Sequence, residues 1–354
     1  MVLRFRVDLE LQSGIHGVLD VMTRVSLLDL IPLAEGQTPA AGLADARELV
    51  RAADRLGYHR YWVAEHHNTR AIASTSPAVT LAWLGNGTER IRLGSGGVML
   101  PNHAPLVVAE QFALLEAMYP GRIDLGLGRA PGTDPITAAA LRRDTSHEAV
   151  NRYPADVLEI MALLGERRPQ VEAERMQRLR AAAEVPHTPE FWLLGSSLYS
   201  AELAGVLGLP YAYAHHFAMS GDALAAAAHY RRHFTPSPTL DAPQFMISAS
   251  VLVADTHQEA LRLDVPQRVS RYQLIAGKLD KMLSPEDAAE FAGKVEGHDL
   301  WRRARGNQYV GTADVVRRGL ERLVDQTEAD ELMLSINAHG VSTRIATAEA
   351  LAPR

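Results

Sequence analysis

From about residue 25 almost to the C-terminus, short apolar runs alternate with longer stretches in which apolar residues recur at helical spacing. That alternation predicts repeated βα units around a parallel sheet. The runs at 25–30, 58–64, 91–100, 123–127, 191–194, 211–214, 246–253 and 331–336 predict eight strands, the number that closes a (β/α)8 TIM barrel. Phe191-Trp192-Leu193-Leu194 and 247–253 are continuously apolar, as strands buried on both faces are. Between strands, 44–56 sets Ala46, Leu49, Val50, Ala53 and Leu56 on one helical face before a Gly57 stop. A second helix over 105–118 ends in the turn Tyr119-Pro120-Gly121. The pattern favours an α/β barrel or a doubly wound sheet over a sandwich.

Two segments fall outside the eightfold scheme. Residues 1–24 precede the first good strand as an N-terminal extension, and 255–309 form a long, charged, mostly helical insertion before the last βα unit. The insertion is expected to cap one barrel end. It opens on Thr256-His257-Gln258-Glu259, the spacing of a capping box. No repeat, low-complexity tract or linker interrupts the chain, so 1–354 is read as a single domain.

Composition narrows the chemistry. A chain of 354 residues, 47% hydrophobic and 22% charged, has the material for a large core. Its 42 acidic against 36 basic residues, net −6, give no electrostatic reason to bind nucleic acid or an anionic membrane. With no cysteine there is no disulfide, thiolate metal site or cysteine nucleophile, so redox chemistry must rest on a bound cofactor. No run reaches the roughly 18 apolar residues of a membrane span, and the start runs into Asp8 and Glu10 rather than an apolar signal core. A cytoplasmic protein with a small-molecule partner is expected.

Four motifs end predicted strands. The apolar Tyr61-Trp62-Val63-Ala64 stops abruptly at Glu65-His66-His67, and barrel active sites sit at such C-terminal ends. An imidazole there can move protons near neutral pH, and Glu65 could fix its tautomer or hold a ligand hydroxyl. The alternative is a polar loop. In Gly94-Ser95-Gly96-Gly97-Val98-Met99, adjacent glycines inside a strand point to a bulge or to close approach of a flat ligand. Arg129 leaves the glycine-rich strand Gly126-Leu127-Gly128, placed to pair with a phosphate through its planar fork. The full dinucleotide spacing is missing, and Pro131 stands where a helix would begin. Finally, Leu194-Gly195-Ser196-Ser197-Leu198-Tyr199-Ser200 runs from a strand into a helix, making either a phosphate cup to which Arg129 adds charge or an ordinary serine N-cap.

His215-His216 raises the question of a metal centre together with Glu65, His66 and His67. Adjacent histidines on a strand point to opposite faces, and no aspartate is suitably placed, so no metal is assigned.

The segments RYWVAEHHN, RLGSGGVMLPNHAPLVVAEQFALLE, GRIDLGLGRAPGTD and FWLLGSSLYSAELAGVLGLPYAYA, with the later VGTADVV and ADELMLSI, closely resemble the bacterial luciferase-like monooxygenase superfamily. The resemblance runs over about 25–345. It implies a (β/α)8 barrel that binds reduced FMN or, alternatively, the deazaflavin F420. It further implies a flavin-dependent oxidation of a small organic substrate by O2, with reduced FMN drawn from a separate flavin reductase, and a homodimer. By the same resemblance, Gly96-Gly97 is the site of a non-prolyl cis peptide against the flavin ring. His66 becomes the catalytic imidazole with Glu65 in the flavin pocket. The cofactor wall is completed by Ser95, Gly96, Gly97, Met99, Arg129, Leu194, Gly195, Ser196, Ser197 and Ser200, the phosphate falling to Arg129 and the serine turn. A flavin-binding protein without turnover, or F420-dependent hydride transfer, are the competing readings.

Overall fold

In the computed structural model, described over residues 23–130, 134–141, 151–166, 179, 187–217 and 221–353, every apolar run expected as a strand is one. Nearly all of the expected N-terminal extension, and Pro131 and Gly132, lie outside the described residues. The strands are β1 (Arg24–Asp29), β2 (Arg60–Val63), β3 (Arg92–Met99), β4 (Ile123–Gly128), β5 (Glu190–Gly195), β6 (Tyr211–Tyr213), β7 (Phe245–Val253), β8 (Gln308–Gly311) and β9 (Glu331–Ser335). β1 to β7 and then β9 pair in that circular order, all parallel, and the β6–β7 and β9–β1 ladders close an eight-stranded barrel. The fold is therefore an α/β TIM barrel.

The helices are α1 (Pro39–Leu56), α2 (Pro77–Leu84), α3 (Pro105–Met118), α4 (Pro135–Leu141), α5 (Tyr153–Leu163), α6 (Leu198–Leu207), α7 (Ala223–His233), α8 (His257–Ile275), α9 (Pro285–Val295), α10 (Asp299–Arg303), α11 (Ala313–Thr327) and α12 (Val341–Ala350). α1 begins five residues before the expected 44, because Thr38 caps it from Ala41 N–H and Pro39 suits the first helical position. Its stop is as read, with Gly57 at φ 83°. Between β7 and β8 lie α8, α9 and α10. Thr256 caps α8 by accepting from Glu259 N–H at 3.2 Å, while the Glu259 carboxylate turns to Arg262 instead of back to the cap.

β8 is the strand the pattern did not reveal. It pairs with Ser250–Val253 of β7, past the point where β7 leaves β9 at Ser250. Four partly polar residues, only Gly311 fully buried, carry too weak an apolar signal to stand out. Among the described residues no helix is long and apolar enough to cross a membrane.

Alternation along the strands sorts side chains into two cores. Leu27, Tyr61, Val63, Leu93, Leu125, Leu193 and Ile247 join the large cluster beneath the helices. Leu28, Trp62, Trp192, Ala212, Met246 and Met333 form a separate cluster that fills the barrel. Two residues earlier on the same strands stand Ser26, Arg60, Glu190 and Glu331, joined by Arg92 and Asp124, so the N-terminal end of the barrel is closed by ion pairs. Only the opposite, C-terminal end is left for a ligand.

Candidate active site

β2 carries its three aromatic and apolar residues fully buried and then delivers Glu65, His66 and His67 to the C-terminal mouth. Glu65 is itself wholly buried. Its Oε1 receives His67 Nε2 and His103 Nε2, each at 2.8 Å, and Asn102 Nδ2 at 3.3 Å, while Oε2 receives the Met99 N–H at 3.0 Å. A carboxylate only accepts, so both histidines hold their proton on Nε2. Burial pulls the Glu65 pKa up, but the hydrogen bond and charge of His103, then His67 and the Met99 N–H, outweigh it and bring it below the ordinary value. Glu65 thus fixes the tautomers of His67 and His103 rather than that of His66, and its oxygens are already spoken for within the protein.

Glu65, His67 and His103 present donor atoms within 4.8 Å of one another, the spacing of a metal site. Here one oxygen shares two imidazole N–H groups and the charge is met by hydrogen bonds.

His66 differs from its neighbours. Its backbone N–H is tied to Ser74 O at 3.0 Å, yet its buried Nδ1 has no hydrogen-bond partner. Burial lowers its pKa against the opposing charge of Glu65, so the ring is neutral at pH 7. Across the mouth, the turn after β6 carries His215, whose Nδ1 is also buried and unpartnered, and His216, whose Nδ1 lies 2.6 Å from Ser248 Oγ on β7. Burial first, then the charge of Arg271, holds the His216 pKa down to about 3.

The glycine strand shows the bulge and, with it, the cis peptide that the resemblance implied. The β3–β4 register slips between Gly96 and Val98, a bulge, and the Gly96–Gly97 peptide is cis. A Cβ on Gly96 would lie 2.8 Å from Leu28 Cδ1, and one on Gly97 2.8 Å from the Gly126 carbonyl, so no side chain fits at either position. Ser95 is fully buried with its hydroxyl bridging to Gly126 O at 2.9 Å and Gly126 N at 3.0 Å. It can therefore face a ligand only through its backbone. Met99 gives its N–H to Glu65 and sets its Cε close to Gly128, and Leu194 sets its Cδ1 close to Gly97 and Gly126.

Arg129 leaves β4 exposed, with its guanidinium carbon 4.1 Å from the centre of the Tyr199 ring in the first turn of α6. Among the described residues no carboxylate lies within ion-pair distance of it. α6 starts from Ser197, which caps the Ser200 N–H, and Gly195 makes room for Ser200, whose Oγ would sit 2.2 Å from a Cβ there. The Ser200 hydroxyl turns back to Ser197 O at 2.8 Å and Tyr211 OH at 3.1 Å. Ser197 is thus the N-cap of the blander reading and satisfies the Ser200 N–H, while Ser196, the N–H groups of Leu198 and Tyr199 and Arg129 remain open to an anion.

The structure brings the predicted residues to one mouth from β2, β3, β4 and β5. The sequence reading did not single out Asn102, His103, Ser248 and Ser250, and it weighed His216 only as a metal ligand. His103 had a usable signal, two residues past Pro101 at the end of the glycine strand. The serines had none, since Ser248 and Ser250 read simply as breaks in an apolar run.

Comparison with known proteins agrees with the fold. A solved structure titled apo-MsnO8 superposes with a TM-score of 0.82 at 33% identity, covering 94% of this chain and 99% of that one. A protein of Escherichia coli (strain K12) described as a luciferase-like monooxygenase is 41% identical over 312 residues, 88% of this chain and 90% of that protein. The N-acetyl-S-alkylcysteine monooxygenase of Bacillus subtilis (strain 168) is 35% identical over 304 residues, 85% of this chain and 89% of its own length. The profile of the family described as luciferase-like monooxygenase matches residues 23–330, and the chain belongs to that family.

Proposed function

We propose that this chain is a flavin-dependent monooxygenase that uses reduced FMN and O2 to oxidise a small organic substrate at the C-terminal mouth of the barrel. Members of the family work with FMN or with F420. The observation that carries the reading is the pairing of an open anion site with an unpartnered buried imidazole nitrogen across the mouth: Arg129 against the α6 N-terminus on one side, His66 Nδ1 on the other. When bound, reduced FMN supplies the electrons that activate O2, one oxygen atom going to the substrate and the other to water. Arg129 and the first-turn N–H groups of α6 would hold the phosphate, by charge and by the helix dipole. Gly96, Gly97 and Gly128 would give a flat ring a wall without side chains. His66, neutral and with Nδ1 free, would take or hold a proton there.

The test is binding followed by turnover. Purified protein is expected to bind FMN at micromolar concentration or tighter, and Arg129→Gln to weaken it roughly ten- to hundredfold, as the loss of a charge-assisted pair does. Failure to bind either FMN or F420 ends this reading, and tight F420 with no FMN moves the chain to hydride transfer. A separate flavin reductase supplies the reduced cofactor in this scheme, so activity should appear only when one is added.

The homodimer has its own support. α2 carries no charged residue, and Val79 and Trp83 on it and Val107, Leu114 and Met118 on α3 are exposed. Exposed apolar surface gathered on two neighbouring helices calls for cover. Light scattering should give twice the chain mass.

A further inference from the structure

α8 turns a polar face inward over the end of β7. Asp264, Gln267, Arg268 and Arg271 follow at helical spacing, and Asp264 and Gln267 are buried. Asp264 Oδ1 accepts from Gln308 Nε2 at 2.9 Å, and the Gln267 amide meets Ser250 Oγ at 3.0 Å. Arg268 is turned aside, its guanidinium carbon 4.0 Å from the Trp301 ring centre. An inward helix face is ordinarily apolar, so buried polar side chains here are the informative exception.

Arg271 stands at the end of this face. Nη2 donates to Ser250 Oγ at 3.1 Å and Nη1 to the Arg305 carbonyl at 3.0 Å. Both acceptors are neutral, and among the described residues no carboxylate comes within 4.0 Å of this guanidinium. Ser250 lies two residues beyond Ser248 on β7, so both face the same side of the strand; Ser248 is bonded to His216, which feels the charge of Arg271. Burial works against the Arg271 charge, and among the described residues the acid opposing that effect is Asp264. A guanidinium stays charged in proteins, so one that is partly desolvated with only neutral partners gains from meeting an anion.

We propose that Arg271, braced on Ser250 beside His216, receives an oxyanion of the substrate, a carboxylate or sulfonate, so that the molecules oxidised here are small organic acids with their reacting end toward His66. The proposal rests on the oxidation reading above only in calling that anion a substrate. The binding site itself does not depend on it.

The test uses the full chain with n-octanoate, n-octanesulfonate and uncharged n-octanamide as probes, by calorimetry with and without FMN. The expected result is that at least one anion binds ten- to hundredfold tighter than the amide, the range of a charge-assisted hydrogen bond. Which anion wins tells carboxylate from sulfonate. Arg271→Gln should erase the preference and Arg271→Lys keep part of it, with FMN affinity and unfolding midpoint unchanged in both. Equal binding of anion and amide by the unaltered protein overturns the proposal, as does a preference that survives in Arg271→Gln. If Arg271→Gln weakens FMN instead, Arg271 serves the cofactor and the proposal is likewise overturned. An anion preference in a protein that binds no flavin leaves this site standing and removes the oxidation reading.

Discussion

The backbone N–H of Met99 donates to Glu65 Oε2 at 3.0 Å, tying the end of β3 to the end of β2 across the barrel mouth. Through Glu65 the same tie reaches His67 and His103. Glu65→Gln keeps the volume but loses the charge and one acceptor oxygen, leaving at least one buried donor without a partner. Stability is expected to fall by about 1–3 kcal/mol, read from urea unfolding at pH 7. Because the folded carboxyl is held below its ordinary value, this contribution is present above the unfolded value near 4.3 and is lost as pH falls through the folded one. The difference between the two proteins should therefore close in acid. A constant difference down to pH 2 would contradict the assigned role.

His66 makes a kinetic prediction. Burial lowers its pKa below the ordinary imidazole value, so the base form already dominates near pH 6.5 and is lost only further into acid. The rate should rise with pH along a limb whose midpoint lies under 6.5 and then level off. His66→Asn should remove that limb and cut kcat by roughly 10²–10⁴, with FMN affinity little changed. If the limb survives the substitution, another group carries the proton.

Glycine positions separate packing from flexibility. A Cβ on Gly126 would lie 2.1 Å from the Ser95 carbonyl and 2.7 Å from Leu194 Cδ1. Backbone cannot yield as a side chain can, so Gly126→Ala should cost about 3 kcal/mol or more, or prevent folding. Gly293 in α9 meets nothing within 4 Å, and Gly293→Ala should gain about 0.5–1 kcal/mol. Thermal unfolding of the two variants in parallel decides the matter, and similar midpoints would sink it.

How far the sequence carried this picture depends on the range of each signal. The eight barrel strands were legible because each is a local apolar run, and β8 was not because Gln308-Tyr309-Val310-Gly311 is short and mixed. Arg129 and the Gly195 to Ser200 turn were legible as motifs at strand ends. That Arg129 lies on Tyr199 required the fold. Glu65 and His66 were found together, but their division of labour was hidden: Glu65 partners His103, 38 positions away, and a sequence shows the neighbour before it shows the contact. Ser250 and Arg271 meet only because α8 folds back over β7, which periodicity cannot reveal.

Asp264 carries the opposite pH dependence to Glu65. Burial raises it to about 6, against Arg271, Arg268 and the Gln308 hydrogen bond. The folded chain holds this proton more tightly than the unfolded one, so stability falls as pH climbs from about 4 to 6, and the penalty is complete at pH 7. Asp264→Asn keeps an oxygen for Gln308 and has no charge to bury. It should stabilise the protein at pH 7.5 by up to roughly 3 kcal/mol and make no difference near pH 4. Urea unfolding at the two pH values reads this directly, and a loss of stability at pH 7.5 would show that the Asp264 charge is needed by Arg271.

The closed end of the barrel gives the last prediction. Arg60, fully buried, meets Asp124 at 2.9 Å, Glu190 at 3.0 Å and Glu331 at 2.9 Å, and its guanidinium carbon lies 4.9 Å from the centre of the Trp192 ring. Arg92 neutralises Asp124 and Glu190 from a half-exposed position, at 2.6 and 3.3 Å. Among the described residues Glu331 has no second cation within ion-pair distance, only the Ser26 hydroxyl, and burial already raises its pKa. Arg60→Met should therefore cost about 3–5 kcal/mol, most of it from Glu331 left buried and charged. Adding Glu331→Gln to Arg60→Met should recover a large part of the loss, since the pair is removed together rather than halved. Chemical unfolding of the single and double variants completes the cycle. A double variant no more stable than Arg60→Met would mean that Arg60 acts through Asp124 and Trp192 instead.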